Sequence, residues 1–322
     1  MKVFVTGGTG FVGTHVVAAL QQRGHTVVGL VRDARKAERV FGSRAPELVL
    51  GDLDDARALA RGCAGADATV HLAGLTAARS RGELFAANAG GTRAVAEAAR
   101  AAGSARFVYV SSLAAHGPVA NGVVPTGDET AHPVSDYGRS KLAGEDPVRE
   151  LSSAWTILRP PAVYGPRDRE LLRIFRMAGR GLIPVFGDGS QRLSLVFAGD
   201  LAAAIVCCLE AAPAPGVYYP AHREITTTRA LVEGIAAALG TRARLVRIPR
   251  AVIRPLFWIT GIAAHVTGRA TLLSADKANE ILADAWICSP AALEAATGWC
   301  AGTDLAAGLR RTADWYRAAG WL

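Results

Sequence analysis

The feature that most constrains this chain is its first thirteen residues, where the apolar run Val3-Phe4-Val5 is cut off by Thr6-Gly7-Gly8 and an apolar stripe follows at once. A short β-prone run bounded by glycine reads as a buried parallel strand. Phe11, Val12, Val16, Val17 and Leu20 recur at helical spacing, so one face of the next segment can lie on a sheet. Gly7, Gly10 and Gly13 follow a G-x-x-G-x-x-G spacing: the first permits a tight turn, the second lets a pyrophosphate approach the backbone, and the third lets helix and strand pack closely. Free amides at the helix start would face the phosphates. Glycine-rich βα turns also occur without a ligand. The position of this one, between a strand and a helix with a second strand at 25–31, argues for a dinucleotide site in an α/β, doubly wound parallel sheet.

Composition narrows the rest. Half of the 322 residues are hydrophobic, enough for a large core and about two domains. The net charge of +8 comes from arginines spread along the chain with no long basic run, which reads as solvated surface plus some recruitment to an anionic cofactor, not nucleic-acid binding. Five cysteines without a C-x-x-C suggest neither a disulfide framework nor a metal site, and a reducing cytoplasm is expected. Met1-Lys2 runs straight into the strand, so no signal peptide is expected. The apolar stretch 248–266 carries Arg250, Arg254 and His265 and is interrupted by Pro249, Pro255 and Gly261, which argues against an integral membrane span.

The second strand ends Leu30-Val31-Arg32. A carboxylate at that tip would suit a ribose 2′-OH and an arginine a 2′-phosphate. Arg32, with Arg35 and Lys36 nearby, favours NADP, with NAD as the alternative. A third strand at 48–50 ends in Gly51-Asp52-Leu53 and a fourth begins at Thr69 and ends in Leu72-Ala73-Gly74. Residues just past strand C-termini line the ligand crevice of such a sheet, which puts Asp52 and Leu53 near the adenine and Leu72, Ala73 and Gly74 on the adenosine side. Asp52 as a plain helix cap is the competing reading. A helix is expected to begin at Asn88, a fifth strand covers 106–110 with Ser111 and Ser112 at its end, and 116–135, with Gly117-Pro118 and Asn121-Gly122, reads as a long loop.

Tyr137 and Lys141 then open a helix, four apart and therefore on one face. A phenol near pKa 10 is a poor acid or base at neutral pH. An ammonium beside it would lower that value, and Ser112 could hold the reacting oxygen while Tyr137 moves its proton. A lone Y-x-x-x-K is common on exposed helices; the order of glycine loop, serine pair, Tyr and Lys gives it weight. A sixth strand at 155–158 leads into Arg159-Pro160-Pro161-Ala162-Val163. Later segments read as helix at 171–177, strand at 183–186 and 193–197, helix at 200–209, strand at 216–219 and helix at 226–239. The remainder is expected to be helical and apolar.

Taken together, TGGTGFVG at 6–13, GDL at 51–53, HLAG at 71–74, N-x-x-G-T from Asn88, SS at 111–112, YGRSK at 137–141, LRPPAVYGPRD at 158–168 and GDGSQR at 187–192 closely resemble the extended short-chain dehydrogenase/reductase family, also called the NAD-dependent epimerase/dehydratase family. The resemblance covers about the first two-thirds of the chain. It implies Tyr137 as catalytic acid/base, Lys141 orienting the nicotinamide ribose and tuning Tyr137, Ser112 polarising the substrate oxygen, Pro160 and Val163 close to the nicotinamide, and Asn88 positioning the cofactor. Asn88 as a helix cap is the alternative. It also implies a homodimer through helices at 88–101 and 137–150.

Family members reduce ketones, oxidise alcohols, or epimerise or dehydrate nucleotide sugars. The family's dehydratases usually carry an acidic pair after the serine; Leu113 and Ala114 stand here. Arg192 stands where epimerases often place a diphosphate-contacting arginine. The apolar 249–264 stretch, with Ile253, Leu256, Phe257, Trp258 and Ile259, resembles the 3β-hydroxysteroid dehydrogenase and dihydroflavonol reductase branch. The expectation is an NAD(P)-dependent oxidoreductase of a largely apolar small molecule, with an epimerase and a non-catalytic dinucleotide-binding subunit as alternatives. Residues 1–165 with 193–222 would form the dinucleotide domain, and 166–192 with 223–322 the smaller, mainly helical substrate domain.

Overall fold

The computed structural model describes residues 1–119, 122–267 and 275–322, with only the backbone at 259–267 and at 275; Asn121 and the side chains of Ile259 and His265 lie outside the described residues. Seven parallel strands form the central sheet: β1 (Lys2–Thr6), β2 (Thr26–Val31), β3 (Glu47–Leu50), β4 (Ala68–His71), β5 (Arg106–Val110), β6 (Ala154–Leu158) and β7 (Gly216–Tyr218). Their spatial order is β7-β6-β5-β4-β1-β2-β3, so the winding direction reverses between β1 and β4. In such sheets that reversal opens a crevice beyond the strand C-termini.

Apart from the half-exposed edge strand β3, the strands are buried on both faces, and their side chains alternate between two cores. Val3 and Val5 point to one face, where helix α1 (Phe11–Gln22) lays Val16, Val17 and Leu20, and where a later helix, here α3 (Ala198–Ala211), lays Leu201, Ile205 and Leu209. Phe4, Val28 and Phe107 point to the other face, against Leu59, Val95 and Ala99. Between these helices in sequence lies α2 (Asp136–Ala143), started by Ser135, whose hydroxyl accepts from the Gly138 amide at 3.1 Å.

Three expectations are corrected. Asn88 does not begin a helix: the helix starts at Arg81, capped by Ser80, and passes through a π-helical turn at Ala86–Gly90 before continuing as Gly91–Ala101. The 193–197 run is two short strands, Arg192–Leu193 and Leu195–Phe197, separated by buried Ser194, whose hydroxyl accepts from the Cys288 amide and donates to the Cys288 carbonyl. The C-terminal third is not wholly helical, because Arg244–Ile248 pairs in parallel with Leu182–Phe186, and Ala285–Trp286 pairs with Arg192–Leu193. Its core gathers Phe175, Ile183, Val185, Val232, Ile235, Leu309 and Tyr316. Among the described residues no helix is long and apolar enough to cross a membrane.

Candidate active site

The glycine loop adopts the conformation its sequence calls for. Gly7 has φ +76°, its carbonyl accepts from the Gly10 amide at 3.0 Å, and a Cβ there would lie 2.6 Å from the Ala73 nitrogen. At Gly13 a Cβ would lie 2.1 Å from the Gly7 carbonyl oxygen, so the loop and α1 are in contact. Gly10 differs: a Cβ there would meet only the Gly7 oxygen, at 3.1 Å, and otherwise project outward. The loop opens into a cavity of about 1080 Å³ that runs across the strand ends. A phosphate-sized group has room against the Gly10 backbone, so these residues fit a dinucleotide.

The structure brings most of the sequence-derived candidates to this one cavity. Gly7, Gly10, Phe11, Val12, Gly13, Leu72, Gly74, Asn88, Ser112, Tyr137, Lys141, Pro160 and Val163 all line it. Ala73, Asp52, Leu53 and Arg32 do not. Ala73 is held behind the wall, its amide donating to Thr6 Oγ1. Asp52 is exposed and accepts from the Asp54 amide, while Asp55 caps the helix that follows, so Asp52 is not that helix's cap. Leu53 packs on Gly91. Arg32 is exposed at the tip of β2, whereas Lys36, one turn into the following helix, reaches the cavity wall. A smaller hollow of about 400 Å³, between His222, Glu294 and Asp304, contains none of the candidates.

Asn88 is fully buried. Its Oδ1 accepts from the Leu75 amide at 2.8 Å, and its Nδ2 donates to the Leu75 carbonyl and to Ser140 Oγ, both at 2.9 Å. One amide thus ties the cavity wall after β4 to α2. Behind it runs a buried relay. The Thr92 hydroxyl donates to the Asn88 carbonyl, so it can only accept from His71 Nε2–H, which leaves Nδ1 to accept from Thr6. Burial holds His71 neutral, its pKa pushed down to about 3, with Lys141 adding to the effect.

The serine pair divides its work. Ser112 lines the cavity together with Tyr137, and its hydroxyl accepts from the Ala114 amide at 3.1 Å. Ser111 is buried and donates to Glu145 Oε1 at 2.7 Å. That carboxylate, fully buried, also receives Arg159 Nε at 2.9 Å and Nη2 at 2.7 Å, and Arg159 reaches the Tyr219 hydroxyl at 3.0 Å. A buried charge is tolerated when it is paired in this way. The sequence reading passed over Glu145 and Arg159, and no spacing signal marks them.

Tyr137 moves opposite to the expected direction. Burial lifts its phenol to about 12, with Glu280 and Glu170 adding negative potential and the neighbouring Ser112 hydroxyl opposing. Lys141 donates from Nζ to the Val110 carbonyl at 2.8 Å and lies 4.4 Å from the centre of the Tyr109 ring; burial lowers its pKa to about 7 against the pull of Glu145. The cavity is also lined by late residues that sequence reasoning missed: Lys277, Glu280, Ile281, Trp286 and Trp321. Glu280 pairs with Lys277 through Oε2, while its Oε1 is buried and finds no hydrogen-bond partner among the described residues. Arg192 is exposed and off the cavity; its neighbours Gln191 and Leu193 line it instead.

Known proteins agree with this architecture. The family model described as NAD dependent epimerase/dehydratase family matches residues 3–219. A ceramide reductase from Caulobacter vibrioides is 37% identical over 99% of this chain and 96% of its own length. A 2-alkyl-3-oxoalkanoate reductase from Stenotrophomonas maltophilia is 33% identical over 74% of this chain and 76% of its own. Among solved structures, the Thermus thermophilus UDP-glucose 4-epimerase complex with NAD superposes with a TM-score of 0.79 at 25% identity, covering 99% of this chain and all of that one. The chain therefore belongs to the NAD-dependent epimerase/dehydratase family, the extended short-chain dehydrogenases/reductases, and is an oxidoreductase.

Proposed function

We propose that the protein reduces a ketone on a long-chain, largely apolar molecule, using NADPH and Tyr137 as the acid. The observation that carries this reading is that one cavity is lined by the glycine loop, by Ser112, Tyr137 and Lys141, and by the apolar side chains of Ile281 and Trp286. The reductase relatives support the apolar substrate: one is named for a ceramide, one for a 2-alkyl-3-oxoalkanoate and one, a Stigmatella aurantiaca ketoreductase 28% identical over 88% of this chain, for a farnesyl-bearing quinoline oxide. Arg32 and Lys36, with no carboxylate at the tip of β2, support a 2′-phosphate. Residues 1–165 with 193–222 would hold the dinucleotide, and 166–192 with 223–322 the substrate.

When bound, the nicotinamide supplies a hydride to the carbonyl carbon. Ser112 fixes the carbonyl oxygen by a hydrogen bond, and Tyr137 gives that oxygen its phenolic proton. A phenol raised to about 12 is fully protonated at neutral pH, which suits a proton donor in reduction better than a base in oxidation. Lys141, anchored on Val110, sits within one helical turn of Tyr137 on the same face of α2 and supplies positive charge as the phenolate forms. Glu280 Oε1 offers an acceptor to a hydroxyl or amide N–H of the substrate.

The test is NADPH oxidation with long-chain 3-oxo amides and esters. Turnover is expected, and Tyr137→Phe should lower it by about 10²–10⁴-fold. Full activity in that variant would sink the acid role. Interconversion of UDP-sugars without net NADPH consumption would decide for an epimerase, a reading that the outward-facing Arg192 disfavours.

A further inference from the structure

We infer that the face built by Arg244–Ile248 and the first half of helix Arg250–Thr267 docks on an anionic lipid bilayer. Among its described side chains the helix buries a narrow stripe, Ile253 and Phe257, which packs on Ala278 and on Phe186, whose ring centre lies 6.3 Å from that of Phe257. The outward turns stay apolar: Val252 is 45% exposed and Trp258 61%. The neighbouring strand pair extends the same surface, since Leu182 (53% exposed) and Val246 (44%) lie on the pleat face that carries Phe186 towards the helix. A contiguous apolar surface of this kind marks an interaction site.

Its charge identifies the occupant. From Gly234 to Ala275 the sequence contains no Asp or Glu but has Arg242, Arg244, Arg247, Arg250, Arg254 and Arg269. Arg250 pairs with Asp284 at 2.7 Å; Arg244, on the pleat face of Val246, and Arg254, one helical turn before Trp258, are exposed beside the apolar residues, whereas Arg247 lies on the opposite pleat face. Tryptophan and aliphatic side chains interleaved with arginine, with the Asp284 carboxylate taken up by Arg250, match the boundary between acyl chains and anionic headgroups. A nucleic acid would leave the aliphatic side chains wet. The location adds a reason: the buried stripe rests on helix Ala275–Leu282, which carries Lys277, Glu280 and Ile281 into the cavity wall, so docking would bring the bilayer beside the proposed substrate end. The docking claim itself does not depend on the chemistry proposed above.

The experiment is sedimentation of the full chain with vesicles of phosphatidylcholine alone or mixed with phosphatidylglycerol. Binding is expected to the mixed vesicles only and to fade with added salt. Replacing Arg244 and Arg254 together by Gln should weaken it by about thirtyfold, and Trp258→Ser with Val252→Ser by about tenfold. All variants should keep wild-type NADPH binding, which separates loss of docking from loss of fold or site. Equal binding to both vesicle types, no binding, or indifference to these substitutions overturns the proposal. So does a concentration-dependent doubling of mass abolished by Trp258→Ser, which would mean that a second copy covers the face.

Discussion

The two ends of the large cavity are made of different material. At the glycine-loop end the wall is mostly main chain and small residues, fixed by contacts such as the 2.1 Å that would separate a Gly13 Cβ from the Gly7 oxygen. At the other end it is made of long side chains from a helix and a two-residue strand, with Glu280 and Lys277 paired one turn apart on that helix and the Trp286 ring donating to the Glu280 carbonyl. The first end binds through shape that the backbone imposes. The second binds through groups that can be exchanged without disturbing the fold, which suits a family whose members share a cofactor site and differ in substrate.

Several substitutions would break or sharpen this contrast. The largest effect is expected at Gly13: Gly13→Ala should destabilise the protein by about 1–3 kcal/mol, read by thermal unfolding, and remove NADPH binding with it. Lys141 probes the junction of the two ends. Its pKa falls from 10.5 to about 7 on folding, so between those values the unfolded chain binds more protons and stability rises with pH. Wild-type protein should gain about 2 kcal/mol relative to Lys141→Met between pH 7 and pH 9, as measured by denaturant unfolding. At Gly10 the added methyl faces the cavity, so Gly10→Ala should weaken NADPH binding about tenfold at unchanged melting temperature; an equal loss of stability would mean that the loop is as tight there as at Gly13. The smallest effect belongs to the side-chain end, where Glu280→Leu should raise KM a few-fold, by roughly 1 kcal/mol, for ketones bearing a neighbouring hydroxyl or amide and leave simple ketones unaffected.

The same contrast explains what could be read in advance. Strand, glycine loop and helix at the N-terminus were legible because steric rules tie those residue types to those conformations, and Ser112, Tyr137 and Lys141 because their order along the chain is as informative as their chemistry. Asn88 was misread as opening a helix: its neighbours suit helix throughout, and nothing local signals a π turn or an amide that clamps Leu75. Arg32 was singled out over Lys36 because strand ends are easy to see, whereas the reach of a side chain one turn into a helix is not. Lys277, Glu280 and Trp286 carried no signal at all. They reach the cavity through pairings, such as Ala285 with Arg192, between segments more than ninety residues apart.

Glu145 has a consequence for how the enzyme fails. Its single carboxylate fastens the turn after β5, the start of the turn after β6 and the chain leaving α2, and Arg159 carries the tie on to Tyr219 just past β7. With that keystone in place the serine, the phenol and the ammonium cannot wander separately. Warming should therefore leave turnover intact until the whole arch gives way, and a Glu145→Gln protein should instead lose activity over a broad range of temperature while its far-ultraviolet dichroism is still that of the folded sheet.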